Sequence, residues 1–101
     1  MTVDTTFQSF IRFYMERMLE CAAVPNDPWG FILDSRFYLS FMPNHRFDAS
    51  FSCLLRVTRM SDQKPITGIV LCCTDLDDDA GMEKLKLQLR TLCIDLLFDQ
   101  F

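Results

Sequence analysis

The C-terminal part of the chain predicts a helix with apolar residues on two opposite faces. From Met82 onward, apolar residues recur at steps of three and four and form one stripe: Met82, Leu85, Leu89, Leu92, Cys93 and Leu96. Four others fall on the opposite side of the helical wheel: Leu87, Ile94, Phe98 and Phe101. A helix that lies on the core of a small domain needs only the first stripe. We therefore expect self-association to bury the second stripe.

The N-terminal segment predicts another amphipathic helix. Its apolar residues keep helical spacing: Phe7, Phe10, Ile11, Tyr14, Met15, Met18 and Ala22. Phe13 projects among polar positions instead, and we interpret it as a candidate anchor for a protein interface. Pro25 and Pro28 are expected to end the helix and turn the chain.

Four strand-like runs lie between the two helices. They are rich in aromatic and β-branched residues, are bounded by turn formers, and span residues 29–33, 36–42, 49–60 and 66–74. The connections are too short for helical crossovers, so the strands are expected to form an antiparallel meander. We predict an α+β two-layer sandwich with the order α-β-β-β-β-α. In it, one domain spans residues 1–101, and the N- and C-terminal helices cover one face of a four-stranded sheet.

Composition narrows the possible partners. The 101 residues carry a net charge of -4, which disfavours binding to duplex nucleic acid because phosphate neutralisation needs clustered Lys and Arg. Five cysteines at apolar positions follow no metal-ligand spacing and indicate a reducing, cytoplasmic compartment. No segment reaches the roughly 18 uninterrupted apolar residues that a membrane span needs. We expect a protein partner and no membrane association.

An acidic run before the last helix is the strongest candidate for ion chemistry. Asp75, Asp77, Asp78 and Asp79 stand near the predicted helix start, where carboxylates are favoured by the helix dipole. Their spacing lacks the alternating ligands, central Gly and closing Glu of a calcium loop. We therefore predict no metal here, and interpret the run as an acidic patch that a basic partner protein would contact.

Catalytic signals are weak elsewhere in the chain. His45 is the only histidine, and no nucleophile motif or Gly-rich phosphate loop accompanies it. The sequence therefore predicts no catalytic residue, no cofactor and no enzymatic activity.

Two further residues are candidate interface anchors. Trp29 stands where the first helix gives way to the sheet, and is either a core residue or an interface anchor. Arg56 belongs to a locally basic stretch that also contains Arg36 and Arg59, and this stretch either keeps a sheet face soluble or contacts an acidic partner.

The leading functional hypothesis is a non-catalytic inhibitor or immunity-type module that occludes a partner protein. The alternative is a dimeric secretion chaperone or adaptor that holds a partner segment along its sheet edge or helix groove. A lower alternative is a single-stranded nucleic-acid binder that uses Tyr38 and the arginines of the sheet, although the net charge has the wrong sign.

Overall fold

A computed structural model describes residues 3–44, 51–73 and 79–98, with side chains for 8–42, 53–69 and 79–98. The first helix, α1, covers Val3–Phe13 and continues into one π-helical turn at Tyr14–Met18. Five strands follow: β1 at Ala22–Val24, β2 at Asp27–Leu33, β3 at Phe37–Asn44, β4 at Phe51–Arg59 and β5 at Lys64–Cys73. The last helix, α2, covers Asp79–Leu97. The predicted α+β class is confirmed.

The sheet has five strands, so the prediction of four was wrong. The first helical segment ends at Met18, and Glu20 adopts a left-handed φ of 58°, which diverts the chain. Ala22 therefore lies in β1, not in the helix, and pairs with Ile32 of β2. The helical spacing of Ala22 does not exclude a short edge strand. The extended conformation is stabilised by pairing with β2, a contact that spacing along the chain does not reveal.

The strands are ordered β1-β2-β3-β4-β5 and all neighbouring pairs are antiparallel, so the predicted meander is confirmed. The hairpin between β2 and β3 turns at Asp34 and Ser35, with φ values of 55° and 57°. The Arg36 amide donates a hydrogen bond to the Leu33 carbonyl oxygen at 3.0 Å. Two successive positive φ angles match the right-handed twist of the flanking strands, although neither residue is the usual glycine.

One face of the sheet carries the core. Phe31, Leu39 and Val57 occupy one row across β2, β3 and β4, and each is at most 1% exposed. Buried residues of both helical segments join the same cluster, among them Ile11, Met15, Leu85, Leu89 and Leu96. The alternate strand residues, such as Tyr38, Ser40 and Arg56, are half-buried or exposed. The two helices therefore cover one face of the sheet and leave the other uncovered.

Candidate protein-binding surface

The π-helical turn brings two large apolar side chains to the surface. The Leu19 amide donates its hydrogen bond to the Tyr14 carbonyl five residues earlier, at 3.1 Å. The wider turn puts residues five apart on similar sides of the helix. Phe13 and Met18 are each 62% exposed, while Tyr14 and Met15 between them are buried. Met18 was expected in the buried stripe; that expectation was wrong because the helix does not keep its α-helical period to this point.

The outer stripe of α2 is exposed where the structure describes it. Leu87, Ile94 and Phe98 are 52%, 48% and 71% exposed. The opposite stripe is buried from Leu85 to Leu96, and Met82 at its start is half-buried. Phe101, the fourth residue of the predicted stripe, lies outside the described residues. The helix thus separates its two apolar stripes between the core and the surface.

The exposed residues of the two helical segments meet in a groove of about 420 Å³. One wall carries Phe10, Phe13 and Met18; the other carries Leu87 with the charged residues Glu83, Lys86 and Arg90. We call this the helix groove. It joins Phe13, a candidate interface anchor, to Leu87, the first residue of the outer stripe, although they are far apart in sequence.

One hydrogen bond joins the two walls of the helix groove, and one ion pair lies within the second wall. The Tyr14 hydroxyl donates to the Lys86 carbonyl oxygen at 3.3 Å. The Lys86 ammonium lies 3.2 Å from a Glu83 carboxylate oxygen, an exposed pair one helical turn apart. Such a pair contributes little to stability but neutralises both charges locally. Arg90 is the remaining groove residue with a charged side chain, and it makes no ion pair with the residues that the structure describes.

Only one aspartate of the acidic run falls within the described residues. Asp75, Asp77 and Asp78 lie outside the described residues, as does His45. Asp79 is exposed in the first turn of α2, where the helix dipole favours a carboxylate. No group of three or more His, Cys, Asp or Glu that could hold a metal ion occurs in the described part of the chain. The acidic-patch interpretation and the absence of metal binding both stay predictions.

The other two candidate anchors lie on opposite sides of the sheet. Trp29 is half-buried and packs against the core cluster. Arg56 is exposed on the uncovered face, between Ser40 and Gly68 of the neighbouring strands. Neither residue lines the helix groove.

Polar contacts on the uncovered face include a tyrosine held by a carboxylate. The Tyr38 hydroxyl donates a hydrogen bond to Asp27 Oδ2, and this bond raises the pKa of Tyr38 above its usual value. Gly30 lies beneath the pair: a Cβ atom there would approach Asp27 Oδ2 and would lie 2.7 Å from Tyr38 Oη. The carboxylate therefore positions the tyrosine hydroxyl on the uncovered face.

The basic residues of the sheet do not gather on that uncovered face. Arg59 pairs in register with Phe37, a core residue, and its Nε lies 3.2 Å from Asp62 Oδ1. Arg36 places its guanidinium 5.2 Å from the centroid of the Phe37 ring and donates to the Leu97 carbonyl oxygen at 3.3 Å. Both arginines thus line a cavity of about 440 Å³ at the end of the sheet, beside Leu96. Only Tyr38 and Arg56 of the proposed nucleic-acid residues share the uncovered face.

Cys21, Cys53 and Cys93 are free and buried. A hydrogen bond between Cys21 and Cys93 lowers the pKa of Cys21 and raises the pKa of Cys93, and burial adds to the rise at Cys93. Burial raises the pKa of Cys53 to about 11. The thiols of Cys53 and Cys93 therefore stay protonated at neutral pH, and all three cysteines pack as small apolar core residues.

Comparison of the chain with protein-family models, with curated proteins and with solved structures finds no match. Among the described helices, none has the length and apolar character needed to cross a membrane.

Sequence reasoning missed three features of this surface: the exposure of Met18, the exposure of Leu97 beside the outer stripe, and the helix groove itself. The only local signal for the exposure of Met18 was the number of large apolar residues around Tyr14. One face of a helix cannot bury all of them. The groove depends on how two distant segments pack, so no local pattern reports it.

Proposed function

We propose that this protein is a non-catalytic protein-binding module that docks a partner through the exposed apolar side chains of its helical layer. The observation that carries the proposal is the helix groove, where Phe13 and Met18 of the first helical segment face Leu87 of α2. Apolar surface that continues from one element to another is characteristic of protein-binding sites, whereas isolated surface residues are common.

The chemistry of the groove favours an amphipathic segment as its ligand. The apolar residues lie on both walls, while Glu83, Lys86 and Arg90 lie on the α2 side. A partner helix with apolar residues at steps of three and four would bury its apolar face there and keep polar residues toward the charged rim. Each large side chain removed from water contributes about 1.5–3 kcal/mol before the entropy of association is subtracted.

In the first form of this function, the protein acts as an inhibitor or immunity-type protein that occludes its partner. A rigid groove that receives one element of a partner places the rest of this domain over the partner's neighbouring surface. The net charge of -4 and the exposed Asp79 favour a basic partner in this form.

A dimeric chaperone or adaptor is the second form, favoured by the length of the apolar surface. The outer stripe continues from Leu87 to Phe98, beyond the groove. A chaperone would hold an extended or helical partner segment along this surface, and its binding would depend little on salt.

Capture from a native cell lysate tests the proposal when matched variants are compared. We expect Phe13→Ser and Met18→Ser to lose the partner that the wild-type protein captures, because both remove exposed groove residues without touching the core. Met42→Ser is the matched control, since Met42 is an exposed methionine on the uncovered sheet face. A partner retained by the groove variants and lost by Met42→Ser would refute the proposal and favour the sheet face.

Salt distinguishes the two forms. Capture that persists at high salt and is lost in the groove variants supports docking of an apolar segment, as the chaperone form requires. Capture that weakens strongly with salt supports an inhibitor whose acidic residues steer a basic partner.

A further inference from the structure

The outer stripe of α2 has the spacing of a coiled-coil seam. Together with the polar positions 84 and 91, the stripe positions 87, 94 and 98 follow one another at steps of three, four, three and four, which is the heptad pattern. Leu87 and Ile94 take position d of the heptad; Lys84, Thr91 and Phe98 take position a. All five are exposed. Packing of the inner stripe on the core does not require heptad spacing of the residues on the outer face of the helix.

Two charged residues flank the seam without an ion pair among the described residues. Arg90 occupies position g on one flank and is exposed; Asp95 occupies position e on the other flank and is half-buried. Residues at e and g positions set the partner and the orientation of coiled-coil pairs. In a parallel pair, a g residue faces the e residue five positions later in the partner helix. Arg90 and Asp95 are five positions apart.

The arrangement in one protomer therefore complements a second copy of itself. We propose that two copies of this protein dimerise through a parallel pairing of their α2 helices, with Leu87, Ile94 and Phe98 in the seam and Arg90 of each protomer facing Asp95 of the other. The interface is isologous, because a two-fold axis parallel to the helices forms both ion pairs at once. In an antiparallel pairing the same flank meets itself, and Arg90 would face Arg90 near the centre of the interface.

This inference rests on the proposed function, since it identifies one partner of the same helical layer. The dimer shares Leu87 and Arg90 with the helix groove and differs from it in its other residues. The outer stripe uses Ile94 and Phe98, which do not line the helix groove, whereas the groove uses Phe13 and Met18. The dimer therefore leaves the first wall of the groove available for a second partner.

Charge exchange at Arg90 and Asp95 tests the parallel register. In sedimentation at low salt, we expect Arg90→Glu and Asp95→Arg each to raise the dimer dissociation constant by roughly tenfold, because each turns two attractive contacts into repulsive ones. An equimolar mixture of the two variants should recover the wild-type constant as a heterodimer, in which both contacts are again attractive. Arg56→Glu, on the uncovered sheet face, is the matched charge control and should change nothing.

Apolar substitutions test the seam itself. Ile94→Glu and Phe98→Glu each place a charge in the seam at an exposed position, and each should yield a folded monomer by sedimentation and circular dichroism. The dimer proposal is wrong if the wild-type protein is monomeric at micromolar concentration. It is also wrong if a different protein is found bound to the outer stripe. Failure of the mixture to recover association overturns the parallel register. If the wild type is monomeric but the groove variants still lose their partner, the dimer fails and the proposed function stands.

Discussion

The Tyr14 hydroxyl donates a hydrogen bond to the Lys86 carbonyl oxygen, 72 residues away in sequence, at 3.3 Å. Tyr14 begins the π-helical turn, and Lys86 lies on the facing wall of the helix groove. The bond therefore joins the two elements whose exposed side chains form the proposed binding surface, and it fixes the width of the groove at its base.

Removal of this hydroxyl tests how much the bond contributes. We expect Tyr14→Phe to lower the free energy of unfolding by about 0.5–1.5 kcal/mol, as for other part-buried hydrogen bonds. Urea denaturation provides the measurement. Tyr38→Phe removes the only other tyrosine hydroxyl, on the uncovered sheet face, and should leave partner capture unchanged while Tyr14→Phe weakens it. Equal effects of both variants on capture would contradict a role for Tyr14 in shaping the groove.

Two leucines of α2 give a matched test of the inner and outer stripes. Leu89 is 0% exposed and Leu87 is 52% exposed, two positions apart in the same helix. Leu89→Ala should cost about 2–5 kcal/mol of unfolding free energy through lost burial and the cavity left behind. Leu87→Ala should change it by less than about 0.5 kcal/mol at concentrations where the protein is monomeric. Similar losses in urea denaturation would show that both stripes are buried.

Two glycines in one cross-strand row are expected to respond oppositely to alanine. Gly30 and Gly68 both lie on the uncovered face, at opposite ends of a row through Ser40 and Arg56. A Cβ atom at Gly30 would crowd Asp27 and the Tyr38 hydroxyl, so Gly30→Ala should cost about 1–3 kcal/mol. At Gly68 the nearest atom is 3.8 Å away, so Gly68→Ala should be neutral or stabilising by up to about 1 kcal/mol. Thermal unfolding of both variants would decide this.

The buried thiol of Cys53 predicts a loss of stability at alkaline pH. Its pKa is raised from 9.0 to about 11 in the folded protein, so only the unfolded chain ionises between these values. The stabilising contribution is therefore fully present below pH 9 and is lost as the pH rises toward 11. The difference amounts to about 3 kcal/mol. Unfolding free energies of the wild type and Cys53→Ala, measured across this range, should converge; parallel curves would contradict the prediction.

The sequence by itself determined the two helices, the antiparallel meander and the second apolar stripe of α2. These features follow from periodicity and turn chemistry, which act over a few residues: three- and four-residue steps place Leu85 and Leu89 on one side and Leu87 on the other. The short connections exclude crossovers, and the Asp34–Ser35 turn joins two strands that must therefore be antiparallel.

Only the tertiary structure decided the edge strand, the exposure of Met18 and the helix groove. β1 is extended because it pairs with β2, a contact that Ala-Ala-Val does not specify locally. Met18 is exposed because the helix widens at Tyr14, where the buried Tyr14 and Met15 are fitted against the core. Phe13 and Leu87 share a groove because both helical segments pack on one sheet face. Contacts between residues so distant in sequence depend on the whole core, and for that reason no local pattern predicts them.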